Sequence, residues 1–502
     1  MNYNSTTDNS IVVSAAQAIS QGISADGGLF VPMEIPKYSE ADFREMLGMD
    51  YRGRAKKIIG DYLSDFSKEE VADCVDNAYT AKKFGGENPA PIVKADFNGN
   101  EINILELWHG PTSAFKDMAL QILPYFLTKS LAKKYKGKEA VILVATSGDT
   151  GKAALEGFKD VDGTRIIVFY PQNGVSPMQK RQMTTQEGSN VDVCAIEGNF
   201  DDAQTGVKKI FTTQEISGKL KENNKLFSSA NSINWGRLLP QIVYYVSAYC
   251  ELVNNGTINF GDEVNVAVPT GNFGNILASY YAMLMGLPIK KFICASNSNN
   301  VLTDFINTGV YNKERKFYTT ISPSMDILVS SNLERLLYIL SDGDDKKVKS
   351  YMTALKTDGS YTADSSIMEK LTEKFFGGCC DEVSTRKTIK DIYEQSAYLS
   401  DTHTAVAINV YGQYVEKTGD KTPVILASTA SPYKFSKSVL SSLIPEEKIC
   451  ESEFDMVAQL NELTGTAVPE PLAQIRNKEV RFSSVINSED MAQYVLERLG
   501  IE

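Results

Sequence analysis

The stretch "EAVILVATSGDTGKAALEGF", Glu139 to Phe158, contains a complete folding unit. Glu139–Thr146 is an unbroken apolar run of strand length, and Gly151–Phe158 has the composition of a helix. A turn of glycines and small polar residues joins them. An unbroken run, unlike an alternating one, marks a strand covered on both faces. The alternation continues downstream. "TRIIVFY" (Thr164–Tyr170) and "VDVCAIEG" (Val191–Gly198) read as strands. "SPMQKRQMTTQ" (Ser176–Gln186) reads as a helix with Pro177 in its first turn, and "FDDAQTGVKKIF" (Phe200–Phe211) as a helix with an acidic start. A second series follows: a long helix from Ser232 to Val253, strand "EVNVAVPT" (Glu263–Thr270), helix "ILASYYAMLMG" (Ile276–Gly286) and strand "KKFICASN" (Lys290–Asn297). Strands alternating with helices predict an α/β fold, with parallel sheets flanked by helices.

Residues 1–95 read as a small, mostly helical N-terminal domain, and 96–300 as an α/β body of two sheet subdomains. Residues 301–419 are mostly helical. Within 420–450 the run "PVILAST" (Pro423–Thr429) returns one buried strand to the body, and 451–502 reads as a further helical segment packed on it. A chain of 502 residues fits two or three domains.

The chain carries a net charge of -12. An acidic surface disfavours nucleic acid and membrane partners, and an anionic small substrate would need a local basic pocket. The start "MNYNSTTDNS" lacks an apolar leader core, and no run is long enough to span a bilayer, so a cytoplasmic location is expected. Seven scattered cysteines without C-x-x-C spacing fit a reducing compartment and no metal. With only His109 and His403 present, a histidine-rich metal centre is excluded, and no G-x-S-x-G elbow marks a hydrolase.

Three strands end in unusual loops, where ligands of parallel sheets bind. "TSGDTGK" (Thr146–Lys152) imitates a P-loop but has Thr146 where that motif needs glycine and Ala153 where it needs Ser or Thr. It can still hold an anion at a helix start, or be a capped turn. "PTGNFGN" (Pro269–Asn275) suits one phosphate held by backbone N–H groups. "ASTASPYKF" (Ala427–Phe435) ends the last strand in hydroxyls fit for a ring edge. A fourth segment, "HGPTSAFKDMALQ" (His109–Gln121), sets Lys116 after a Gly-Pro turn, at the mouth of an apolar stretch. A phosphate cradle, a lysine in an apolar setting and a hydroxyl at a strand end match the phosphate, aldehyde and ring nitrogen of pyridoxal phosphate.

With "SADGGLFVP" (Ser24–Pro32), "NSINWGRLLPQ" (Asn231–Gln241) and "DTHTAV" (Asp401–Val406), these motifs run in one order along nearly the whole chain. In that order the sequence resembles the threonine synthase family of fold-type II pyridoxal-phosphate enzymes. The resemblance implies a PLP-dependent lyase that converts O-phospho-L-homoserine and water to L-threonine and phosphate, as a monomer or homodimer. It implies that Lys116 bonds the cofactor, and that Gly271, Asn272, Phe273, Gly274 and Asn275 hold its phosphate. Thr429 would face the pyridine nitrogen, and Ser147, Asp149 and Thr150 would lie on the substrate side. Arg237, ahead of Arg181 and Lys152, is the candidate cation for the substrate phosphate. Asp117 reads as a second base or as a solvated or capping carboxylate, His109 as a substrate contact or a structural histidine, and Trp108 and Trp235 as packing. The chain departs from the family pattern at Thr7, where an arginine is usual, at Thr402 (proline), Ser431 (histidine) and Tyr433 (alanine). These departures bear on substrate contacts and leave the cofactor motifs intact.

Overall fold

The computed structural model describes residues 1–146, 148–173 and 175–502. Its strands are numbered in chain order. β1 (Asn2–Ser5), β2 (Asp8–Ser14) and β3 (Phe30–Pro32) form an antiparallel sheet in the order β2-β1-β3. The helical pattern of residues 1–95 hides this sheet, because β1 is short and polar and β3 has only three residues.

The body begins with β4 (Ile92–Phe97) and β5 (Asn100–Glu106), a hairpin turned by Asn98 and Gly99 at φ 54° and 76°. An Asn-Gly pair takes this left-handed backbone readily. There follow β6 (Glu139–Ala145), β7 (Thr164–Pro171), β8 (Val191–Glu197), β9 (Lys225–Ser228), β10 (Val264–Pro269) and β11 (Ile289–Ser296). A small hairpin, β12 (Val310–Asn312) with β13 (Ser360–Thr362), precedes β14 (Phe375–Cys379), β15 (Val424–Ser428) and β16 (Val485–Asn487).

Two sheets result. One runs β14-β11-β10-β15-β5-β4 and is parallel except for β4. The other runs β16-β8-β7-β6-β9 and is parallel throughout. The strand β14 lies inside the segment expected to be mostly helical. Its glycines explain both its place and its weak signal. A Cβ on Gly377 would stand 3.2 Å from the Thr303 backbone, so only glycine lets the helix Val301–Thr308 lie against this edge.

The helix Trp235–Asn254 is buried on every side, as an apolar helix at the centre of a large domain must be. Trp235 sits among Tyr3, Tyr62 and Tyr281 with ring centroids 5.5, 5.6 and 5.4 Å away. This cluster fastens the N-terminal sheet to the body, and truncating such a buried ring costs about 3–5 kcal/mol. Asn234 caps the helix through the Gly236 N–H, and its amide donates to the Ile19 and Ser229 carbonyls. The entry of the helix, and with it Arg237, is thereby fixed.

Candidate active site

β5, β15 and β10 are neighbours in the larger sheet, with Ser428 opposite Glu106 and Leu426 opposite Ala267. Their carboxyl ends therefore bring together the Lys116 loop, the Thr429 loop and the Gly271–Asn275 loop. The first two are laced by backbone. Leu107 N–H donates to Ser428 O, Phe115 N–H to Thr429 O, and Ser431 N–H to Ser113 O. Ser113 holds φ 58°, a left-handed conformation that costs a non-glycine residue energy and that this lacing maintains.

Lys116 is only partly covered, and its Nζ donates to Ser324 Oγ at 3.1 Å. Burial lowers the pKa of the amine to about 8; Asp149 opposes the shift, while Lys434 and Arg237 add to it. A fraction of the amine is thus free base at neutral pH, as imine chemistry requires.

Asp117 is no solvated carboxylate. It is buried, and accepts from Thr112 N–H at 2.8 Å and Thr112 Oγ1 at 2.7 Å. Burial lifts its pKa to about 6 against those bonds. A Cβ on Gly110 would lie 2.5 Å from Asp117, so the Gly-Pro turn exists to let this carboxylate fold under the loop. Its role is to shape the loop that presents Lys116.

Within "GNFGN" the left-handed residue is Phe273, at φ 62°, with the helix Gly274–Met285 starting directly after it. A Cβ on Gly271 would stand 2.5 Å from the Ser324 carbonyl oxygen. Asn272 is exposed, and its carbonyl accepts from Asn332 N and Nδ2 at 3.1 and 2.9 Å. Tyr245 OH donates to Asn275 Oδ1, which leaves the buried Asn275 Nδ2 without a partner among the described residues. Gly274 keeps open space: a Cβ there meets nothing nearer than Asn332 Nδ2, at 3.5 Å, and Gln241 Nε2, at 3.6 Å. An orphan donor, two further amides and a helix N-terminus around a free volume fit a phosphate.

Asp149 opens the helix Asp149–Phe158 and is buried. Burial would raise its pKa, but Lys434 and Lys116 outweigh it and hold the carboxyl well below the usual range. Lys434 Nζ lies 2.8 Å from Asp149 Oδ1 and donates to Thr112 O at 2.9 Å, in a nearly water-free setting. Gln179 Nε2 adds a contact to the same carboxylate at 3.3 Å. Thr150 follows in the first helical turn, and Ser147 lies outside the described residues. A recess of about 260 Å³ among Gln179, Pro323, Tyr433 and Lys434 opens beside this cluster.

Arg237 is buried, donates from Nη1 to Ala230 O at 2.6 Å, and has no carboxylate partner among the described residues. Its Nε is also unpartnered, and burial lowers its pKa to about 10. The two other candidate cations are committed elsewhere. Arg181 donates to the carbonyls of Arg476 and Lys478, and Lys152 pairs with Glu156 at 3.1 Å. His109 is held by Glu106 at 2.8 Å and stacks on Trp108, whose Nε1 donates to Ser428 Oγ. Trp108 thus helps to fix the Thr429 loop in addition to packing.

Sequence reasoning misses Lys434 and the segment 319–335. Lys434 lies in a quoted motif, and its signal is a lone cation in a hydroxyl-rich loop just past a buried strand. The segment 319–335 has no period and few regular elements, yet it binds the site together. Ser330 Oγ donates to Gly271 O at 2.6 Å, and Arg335 donates to Asn332 Oδ1, Ile233 O and Phe30 O. At the departures from the family pattern, Thr402 Oγ1 donates to Ile321 O, Ser431 Oγ accepts from Tyr433 N–H, and Tyr433 OH donates to Thr466 O. Thr7 Oγ1 donates to Asp26.

The lysine, the glycine loop and the hydroxyl-bearing strand end meet at the carboxyl ends of three neighbouring strands, and the model of the pyridoxal-phosphate dependent enzymes matches residues 83–369. The chain belongs, more narrowly, to the threonine synthase family, whose N-terminal model matches residues 2–79 and whose C-terminal model matches 404–495. A threonine synthase of Saccharomyces cerevisiae is 37% identical over 88% of this chain and 89% of its own length. The human protein Threonine synthase-like 1 is 42% identical over 85% of this chain, which spans 58% of that relative's length. The solved structure of a PLP-bound threonine synthase from Brucella melitensis superposes with a TM-score of 0.87, at 34% identity, over 99% of both chains.

Proposed function

We propose that this chain converts O-phospho-L-homoserine and water to L-threonine and phosphate. The observation that carries the reading is the buried Arg237 guanidinium, which among the described residues has one carbonyl and no carboxylate partner and which lies close enough to Lys116 to lower the amine's basicity. In a chain of net charge -12, a buried cation left without a carboxylate suits an anion brought by the substrate.

The bound cofactor supplies an electron sink, which makes hydrogens near the substrate amine acidic. The chain's own residues do the rest. Gly271, Gly274 and the Asn275 amide would hold the cofactor phosphate, and the Thr429 hydroxyl would meet the ring nitrogen. Lys116 Nζ is the base that would remove a proton from Cα and later one from Cβ. Arg237 holds the phosphate that leaves Cγ. Protons return to Cγ and to Cα, water adds its hydroxyl at Cβ, and the remaining proton leaves with the phosphate. The Asp149–Lys434 pair walls the substrate side, and its fixed charges keep Lys116 poised between amine and ammonium.

Product analysis tests the reaction. Incubation with O-phosphohomoserine is expected to yield threonine and phosphate in equal amounts, and 2-oxobutyrate without threonine would mean a lyase that stops at the keto acid. Arg237→Ala is expected to raise KM for O-phosphohomoserine while leaving cofactor affinity within about twofold, since a charge-assisted contact is worth about 1.5–3 kcal/mol.

The cradle has its own test. Gly274→Ala fits the protein, because the added carbon meets only ordinary contacts, but it narrows the phosphate space. Gly271→Val must also displace the Ser324 carbonyl. Both are expected to weaken cofactor binding tenfold or more, at about 1.5–3 kcal/mol per lost bond to a charged group, with thermal stability reduced only in the second. Parent-like cofactor titration of Gly274→Ala would refute the cradle.

A further inference from the structure

The structure assigns to Ser324 the task of docking the Lys116 amine whenever that amine is not bonded to the cofactor; the assignment rests on Lys116 being the cofactor-bearing lysine. The geometry is specific. Ser324 Oγ is 3.1 Å from Lys116 Nζ. Ser324 sits in the short turn Pro323–Met325 and is clamped from two sides. Its N–H donates to His403 Nε2 at 3.1 Å, and His403 Nδ1 is bound to Asp401 Oδ1 at 2.8 Å. Nε2 acts there as an acceptor, which places the ring proton on Nδ1, against the carboxylate. On the other side, the Ser324 carbonyl lies against Gly271 so closely that no Cβ fits between them.

The Asp401–His403 pair resembles a proton relay, but it ends on the backbone N–H of Ser324 and not on its hydroxyl. It moves no proton to Oγ; it fixes where Oγ stands. The hydroxyl is then a pre-placed acceptor for the amine, and Ser324 is a positioning residue. A lysine that must leave the cofactor, move protons and return has many rotamers to lose, and a fixed acceptor reduces that search. The same contact favours the ammonium form. The charged groups around Nζ are Asp149 from its helix start, Lys434 from the last loop, Arg237 from the central helix and Asp117 from the lysine's own loop. His403 stands behind Ser324.

The test compares Ser324→Ala and Ser324→Thr with the parent, using pyridoxal phosphate itself as the probe. In Ser324→Ala, borohydride is expected to label Lys116 as before, and cofactor affinity to be equal to or tighter than the parent's. The pH midpoint for formation of the cofactor's visible band should move to lower pH, because the acceptor that favoured the ammonium is gone. Turnover, kcat, should fall about tenfold with KM little changed. Ser324→Thr, which keeps the hydroxyl, should recover the midpoint. The spectral readouts need no substrate, so they stand apart from the identity of the reaction. Weakened cofactor binding in Ser324→Ala would overturn the proposal in favour of a prop for the Gly271 loop. An unmoved midpoint with parent-like kcat would overturn it as well, and a label on another lysine would remove its premise.

Discussion

Lys116→Ala is expected to purify folded and colourless. The parent should show a visible band near about 410–420 nm, the ordinary absorbance of this cofactor joined to a lysine, and should lose it on borohydride reduction. Peptide mapping should then place the label on Lys116. The variant should show neither band nor label, and turnover should drop by at least about 10³-fold, because the group that bonds the cofactor and the group that moves the protons are one amine. Its fold should survive, since the side chain is only partly covered and, among the described residues, makes one hydrogen bond. A variant that stays yellow, or a parent label on a different lysine, would overturn the assignment.

Lys434→Met is expected to be the most destabilising single change in the site. It leaves Asp149 with the Gln179 amide and Lys116 as its remaining partners in a buried position. An uncompensated buried charge costs about 3–5 kcal/mol, a large share of the roughly 5–15 kcal/mol that holds a typical domain together. Adding Asp149→Asn removes the stranded charge, so the double variant should regain most of the lost stability. It should not regain turnover, because both groups lie on the substrate side. There is also a spectral sign. Lys434 lowers the basicity of Lys116, so in Lys434→Met the pH midpoint for the cofactor band should move up, opposite to Ser324→Ala. Equal thermal midpoints for the parent and Lys434→Met would show that the pair contributes nothing.

The body strands were legible because β6, β7, β8, β10, β11 and β15 are buried on both faces, and such strands read as unbroken apolar runs. β9, β14 and β16 lie at sheet edges, β14 built round two glycines and β16 only three residues long. In the first sheet β1 is short and polar and β3 has only three residues, so no periodicity marks them. The lysine and the glycine loop could be read because each carries local chemistry in a local motif. Lys434, Ser324, Asn332 and Arg335 could not, since what matters about them is whom they touch. The partners of Ser324 lie at Lys116, Gly271 and His403, and those of Arg335 at Phe30 and Ile233. Lys152 and Arg181 show the converse. Both flank motifs, but the fold turns them toward Glu156 and toward the carbonyls of 476 and 478.

β15 lies between β10 and β5, yet it is made long after both. On a ribosome adding about 5–20 residues per second, the interval between completing β5 and completing β15 is on the order of 15–60 s. For the first half of it β5 waits alone, and from the completion of β10 onward two central strands lack their shared partner and present open edges to any other chain nearby. The lysine loop, laced to Thr429 and Ser431, has nothing to lace to. Chains released early, or cut before residue 424, should therefore be insoluble as well as inactive. In the cell, yield should depend on chaperones that shield those edges until the last central strand arrives.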